Sequence, residues 1–190
     1  MVRLFVAVWP PSTVLDAVSA LPRPPIDGLR WTSPDQWHVT LRFFGSVPVP
    51  AVESVRAACH RIDIESATRG VESAGGGEVE AVMGPTTGRF GSRILQVPIS
   101  GLDGLAAATV AATAAMGEPP DPRPFAGHLT LARSRGRHEG DVDLRPLCGI
   151  PLAASWLVTE LTLVASHLGA GSTGGARYEV IERLPLWLPG

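Results

Sequence analysis

The sequence predicts a chain of mixed strands and helices folded as two lobes around a shared core, and three observations carry that prediction. Runs rich in β-branched and aromatic residues alternate with runs of helical apolar spacing along 190 residues. One strand-like motif occurs twice, as HVTLRF from His38 and HLTLAR from His128, about 90 residues apart. Gly 21 and Pro 18 beside 45% apolar residues describe many short elements and turns around a packed interior, without the low hydrophobicity of a disordered chain. No short period repeats elsewhere, so the pair reads as an old two-lobe duplication and not as a solenoid.

The elements follow in order. Residues 4–9 form an apolar run that reads as a buried strand, and Pro11 with Ser12 opens a helix to about residue 21, with Ser12 able to cap free amide groups. A Pro-rich turn ends it. Residues 37–45, closed by Gly45, are a strand, and residues 50–62 carry Val52, Val55, Ala58, Cys59 and Ile62 at helical spacing. Residues 71–83 and 92–99 read as strands divided by GGG and GPTTGRFG turns, and the Ala-rich stretch 102–116 as a helix. After the Pro-rich link EPPDPRPF come a strand at 128–133, a polar loop, and strands at 156–167 and 177–186 joined by GAGSTGGA.

All 16 basic residues are Arg, against 18 acids, for a net charge of -2. The absence of Lys excludes a P-loop lysine, a Schiff base and a nucleotide stored on a lysyl nitrogen. Asn is absent too, and with abundant Ala, Gly, Pro and Arg this reads as GC-biased coding. Cys59 and Cys148 stand apart without a CxxC, so they read as small buried hydrophobes and not as a disulfide or zinc framework. The apolar run at the start is shorter than the ~7–15 residues of a signal sequence's apolar core and is followed by Pro10, Pro11 and Asp16. No stretch approaches the ~18 apolar residues of a membrane helix. The expectation is a cytoplasmic protein without cofactor or metal.

Chemistry enters with the repeated motif. Strand side chains alternate faces, so His38 and Thr40 share one surface while Val39, Leu41 and Phe43 take the other. His128 and Thr130 stand in the same relation to Leu129 and Leu131. Two such strands facing each other would make a cleft with two imidazoles and two hydroxyl donors. That set suits in-line displacement at a phosphodiester, where one group takes a proton from the nucleophile and another gives one to the leaving oxygen. The hydroxyls can donate to non-bridging oxygens and an Arg can offset developing charge. No carboxylate cluster suggests a metal.

The residues carry a resemblance to the two-histidine (2H) phosphoesterase superfamily, and within it to the RNA 2',3'-cyclic phosphodiesterase family called LigT-like, formerly the 2'-5' RNA ligase family. The matching segments are RLFVAVWPP, WTSPDQWHVTLRFFG, RPFAGHLTLAR and VTELTLVASHLGAGSTGGARYEVIERLPL, in family order over nearly the full length. The resemblance implies a single α+β domain over 1–190, bilobal and pseudo-twofold, with antiparallel sheets lining a central cleft and helices outside. It implies opening of an RNA 2',3'-cyclic phosphate to a 2'-phosphate without metal. His38 would be the general acid at the departing 3' oxygen and His128 the base on water, while Thr40 and Thr130 hold the phosphate. Arg133 fits the family's Arg after the second motif, yet strict alternation puts it on the face opposite His128, so a bulge or strand end is needed to bring it round. Arg42 has the parity of His38 but lies roughly 13 Å along the strand, which predicts a surface or rim position. One departure is Phe43-Phe44-Gly45 where the family commonly has Phe-Leu-Gly, which bears on base stacking at the cleft edge.

The implied partner is an RNA end with a cyclic phosphate, or a small cyclic nucleotide, bound by a monomer. Other 2H activities stay open, namely cleavage of 2',5'-linked oligonucleotides and reversible 2'-5' joining, as does a non-catalytic RNA-end-binding module. His60, His138 and His167 match no metal-ligand spacing. GAGSTGGA lacks the strand-to-helix context and final Lys of a phosphate loop and reads as a hairpin. Trp31, Trp37, Phe43, Phe44 and Phe125 flank the motifs and read one by one as core residues. Arg123, Arg133, Arg135 and Arg137 against Asp121 form a local cationic excess beside the second motif.

Overall fold

In the computed structural model, which describes residues 1–68, 78–135, 142–171 and 175–186, ten strands form one curled antiparallel sheet. The strands are β1 (Val2–Val8), β2 (Leu29–Trp31), β3 (Val39–Val47), β4 (Glu80–Met83), β5 (Gly88–Phe90), β6 (Ile94–Ser100), β7 (His128–Ser134), β8 (Ala154–Leu157), β9 (Glu160–His167) and β10 (Arg177–Pro185). Four helices accompany them among the described residues, α1 (Ser12–Ser19), α2 (Val52–Cys59), α3 (Ile64–Thr68) and α4 (Asp103–Thr113). The sheet runs β10-β9-β1-β3-β7-β6-β4-β8, with β2 added to β7 and β5 to β6.

The two lobes meet where β3 touches β7, through the single pair Val39–Leu129. Each lobe repeats one arrangement, since β1 pairs β3 as β6 pairs β7. Val39, Leu41, Leu129 and Leu131 enter one core with Leu4, Val6 and Val8 of β1 and with the helical residues Val14, Val18, Val55 and Leu105. The helices therefore cover the face turned away from His38 and Thr40. Their packing crosses the lobes, with α1 against β8 and α4 against β3. A second, small cluster of Phe5, Ala7 and Val164, joined by Trp9 and Tyr178, lies on the other face of β1.

Both motif strands bulge at the same point. Ala7 pairs Thr40 and Val6 pairs Arg42, so Leu41 has no partner in β1; Gln96 pairs Thr130 and Leu95 pairs Ala132, so Leu131 has none in β6. A bulge shifts the alternation by one residue. Leu41 and Arg42 are accordingly both buried and Phe43 exposed, and Leu131 and Ala132 are both buried and Arg133 exposed.

Several expectations are corrected. The stretch 156–167 is two strands far apart in the sheet, β8 at one end on β4 and β9 between β1 and β10 toward the other. The break falls at Val158 and Thr159, whose backbone groups bond to Val79 and Leu186 instead of extending a ladder. The GPTTGRFG turn contains β5, and β2 and α3 are short elements without a strong periodic signal. Pro11, not Ser12, holds the N-cap of α1, and no side chain caps it. Arg42 lies neither at the surface nor at a rim. It is 4% exposed, and its guanidinium donates to the carbonyls of Phe43, Met116 and Glu118. The bulge at Leu41 turned it inward. The start of the predicted strand at 71–77, Arg137, His138 and residues 172–174 of the GAGSTGGA loop lie outside the described residues.

Candidate active site

His38 and His128 stand at the same place in their lobes, just before or at the first residue of β3 and β7. The His38 Nδ1–H donates to the Gln36 carbonyl at 2.9 Å, and the His128 Nδ1–H to the Ala126 carbonyl at 2.9 Å. A carbonyl can only accept, so each neutral ring carries its proton on Nδ1 and its lone pair on Nε2. The anchor is local in both cases, the residue two positions earlier. For His38 that residue closes the 3-10 turn Pro34–Gln36, whose Ser33 and Gln36 form a capping box.

Their surroundings differ. Phe5 stacks on His38 at 4.8 Å between ring centres, Trp9 tilts against it at 5.1 Å, and Tyr178 meets it edge-on at 4.8 Å. Burial in this cage pushes the His38 pKa down to about 4, opposed by the Gln36 carbonyl and reinforced by the positive charges of Arg133 and His128. His128 has one aromatic neighbour among the described residues, Phe90, stacked at 4.4 Å. Its pKa is also lowered, by burial and then by Arg133, with the Ala126 carbonyl acting against both.

A cavity of ≈ 380 Å³ opens beside His38, and Thr40, Thr130 and Arg133 line it together with Arg3, Arg30, Phe43 and Tyr178. Among the described residues three guanidiniums and no carboxylate line it, so a protein of net negative charge has a locally cationic cavity. Arg133 reaches toward the Thr130 hydroxyl at 3.5 Å. The bulge at Leu131 is what brings it round, the condition that alternation alone required. His128 lies apart from this lining, at the edge of a second cavity of ≈ 320 Å³ with Phe90, Gln96, Asp103 and Phe125.

Of the predicted site residues, His38, Thr40, Thr130 and Arg133 thus share one cavity, and His128 adjoins it closely enough for its charge to act on His38. Arg3 and Arg30 were missed by sequence reasoning. Arg3 alternates with Phe5 on β1 and sits over the Phe43 ring at 5.1 Å, a pattern legible only once that face of β1 is known to line a cleft. The cationic excess expected beside the second motif is smaller than its composition, because Arg123 is ion-paired with Asp121. Trp37 and Phe44 are fully buried, Phe43 is 37% exposed in the cavity, and Trp31 donates to the Pro24 carbonyl. His167 bonds Glu179 at 3.0 Å and His60 lies near Glu182, both away from the cavity. Among the described residues no helix is long and apolar enough to cross a membrane.

Comparison with known proteins agrees with this geometry. The family model of LigT like phosphoesterases matches residues 8–75. TT0787 of Thermus thermophilus is similar at 26% identity over 97% of each chain, with a TM-score of 0.73. A crystal structure of a phosphoesterase follows at 25% identity, 97% of each chain and a TM-score of 0.70. E. coli LigT complexed with 3'-AMP shares the fold at 24% identity over 97% of each chain, with a TM-score of 0.69. No curated protein sequence matches the chain. With two His-x-Thr strands meeting through the Val39–Leu129 pair on this fold, the chain is similar to the LigT-like phosphoesterases of the two-histidine superfamily in both motif and architecture.

Proposed function

We propose that the protein hydrolyses RNA 2',3'-cyclic phosphate ends to 2'-phosphates. The observation that carries this reading is the pair of imidazoles, each fixed through Nδ1 to the carbonyl two residues before it, beside a cavity lined by two Thr hydroxyls and three Arg. Thr40, Thr130 and Arg133 would hold the non-bridging oxygens and offset the charge that builds on them. His128 takes a proton from water as the water oxygen bonds to phosphorus. The bond from phosphorus to the 3' oxygen breaks, and His38 gives that oxygen its proton, leaving the phosphate on the 2' oxygen. Both proton transfers are supplied by side chains, so the reaction is expected to proceed in EDTA.

His38 must be protonated to act as the acid, and its pKa of about 4 in the ligand-free protein makes that state rare at neutral pH. The negative phosphate, once bound, favours the imidazolium. The substrate thus charges the acid that it needs. Crystal structures of E. coli LigT, which shares the fold, hold 3'-AMP, ATP or NADP+, in keeping with a nucleotide as ligand.

A second reading, cleavage of a 2',5'-linked dinucleotide, is favoured by the cavity beyond His128. Its ≈ 320 Å³ is far more than the ~30 Å³ of a water molecule, and Phe90, Phe125 and Gln96 could hold a second nucleoside there. The two readings separate in one panel. A short RNA with a 2',3'-cyclic phosphate, a 2',5'-linked dinucleotide and a small cyclic nucleotide are incubated with enzyme in EDTA, and the position of the product phosphate is determined. The first reading expects fastest conversion of the cyclic end to a 2'-phosphate, with His38→Ala and His128→Ala each slower by on the order of 10² to 10⁴. Full activity in either variant, or binding of the RNA end without product, defeats it.

A further inference from the structure

The bulge that brings Arg133 into the cleft creates a local problem of its own. Carbonyls of successive strand residues ordinarily point to opposite edges, but those of Thr130 and Leu131 both turn toward the hydroxyl of Thr32, each at 2.8 Å. Thr32 sits where β7 exchanges partners, between its contact with β3 at Leu129 and its pairing with β2 from Ala132 onward. The Thr32 N–H also donates to the Leu131 carbonyl, at 2.9 Å. The hydroxyl oxygen in turn accepts the indole N–H of Trp37, at 2.9 Å. Trp37 is 1% exposed and Thr32 5%, at the wall of the cavity, with its hydroxyl already engaged by these partners.

We propose that Thr32 is a positioning residue for the phosphate cradle, holding the Leu131 bulge open and thereby aiming Arg133 and the Thr130 hydroxyl at the substrate. This rests on the functional reading above for its kinetic arm only. The hydroxyl also links the two motifs by a route that does not run through the Val39–Leu129 pair, because Trp37 is covalently next to His38. In the other lobe the corresponding position, 90 residues on, is Pro122, which has neither hydroxyl nor N–H. There the bulge delivers Phe43 to the cleft, and no charged group needs aiming.

Thr32→Val keeps the side-chain shape and removes the donor. Two successive carbonyls then lose their shared partner, and the strand can recover ordinary alternation only by turning Arg133 back toward the opposite face. Thr32→Ser keeps the hydroxyl. Trp37→Phe removes the indole donor that orients it and leaves Thr32 in place, serving if the valine protein does not fold.

The test has two arms. NMR titration of the His38 and His128 ring protons reads the position of Arg133 without any turnover, since that guanidinium lowers both pKa values. In Thr32→Val both midpoints should rise and affinity for inorganic phosphate should fall roughly 10- to 100-fold, the weight of a charge-assisted contact. Thr32→Ser should match the parent, and Trp37→Phe should move in the same direction by less. In the kinetic arm the valine variant should raise KM for the cyclic phosphate by a similar factor, with Ser restoring it. Unchanged titrations and phosphate affinity in a folded Thr32→Val or Trp37→Phe protein overturn the proposal. If the parent turns over no cyclic phosphate, the functional reading fails while the titration arm still decides the role of Thr32.

Discussion

Val39 and Leu129 are the residue pair through which β3 and β7 meet. Antiparallel register then sets His38 across from Thr130 and Thr40 across from His128. Each imidazole thus has the other motif's hydroxyl as its cross-strand neighbour. A phosphate lying over this pair would be held by both lobes at once, with one ring on each side of the pseudo-dyad.

The pH dependence follows from the two depressed imidazoles. In the proposed mechanism the productive form of the free protein has His38 protonated, with a pKa of about 4, and His128 neutral, with a pKa below its ordinary 6.5. The profile of kcat/KM, which reports the free enzyme, should therefore peak on the acid side of pH 6.5. The kcat profile should lie at higher pH, because bound phosphate raises both values. Rate measurements from pH 4 to 9 check this, and coincident profiles would remove phosphate charging from the mechanism.

Acid stability carries the same signature. A histidine whose pKa is lower folded than unfolded contributes fully above about pH 6.5, and that contribution is lost as pH falls toward 4. The expected loss is about 2 to 3 kcal/mol over that window. Denaturation midpoints of the parent and of His38→Gln, compared at pH 7 and pH 4.5, should show a shallower decline in the variant. Equal slopes would mean that the cage does not desolvate the ring as described.

Arg133→Ala should raise KM for a cyclic phosphate roughly 10- to 100-fold and raise the pKa of both histidines, since Arg133 lowers each. Arg133→Lys should recover part of the KM, as a point charge replaces a fork of donors. Steady-state kinetics paired with imidazole titration separates this from a folding defect.

Gly117 has φ +62, and a Cβ there would lie 2.3 Å from the Phe44 carbonyl oxygen. That turn presents the Met116 and Glu118 carbonyls to buried Arg42. Gly117→Ala should lower stability by roughly 2 to 4 kcal/mol, seen as a drop of several degrees in Tm. Activity per folded molecule should be kept, as the turn lies on the helical side of the sheet.

The sequence carried the two imidazoles and two hydroxyls plainly, because alternation along a strand is a local rule and the motif is duplicated. It also carried the need for a bulge near Arg133, since the parity was wrong without one. It did not reveal that the first lobe also bulges after its motif threonine, and so it left Arg42 outside when that residue is buried under the turn at Met116. Arg3, Arg30 and Tyr178 stayed hidden for another reason. They reach the cavity from β1, β2 and β10, and which strands become neighbours is fixed by the whole topology and not by any segment.

That topology places the first strand, β1, between β3 and β9, with the last strand, β10, beyond β9. Phe5 and Trp9 come from one end of the chain and Tyr178 from the other, yet all three touch the same imidazole. During synthesis, then, a nascent chain carries an ordinary, readily protonated His38 until its final strands have emerged and paired. Such long-range closure is a slow step in folding, so the caged state of His38, with its lowered pKa, forms only late, once the strands on both sides have closed around the ring.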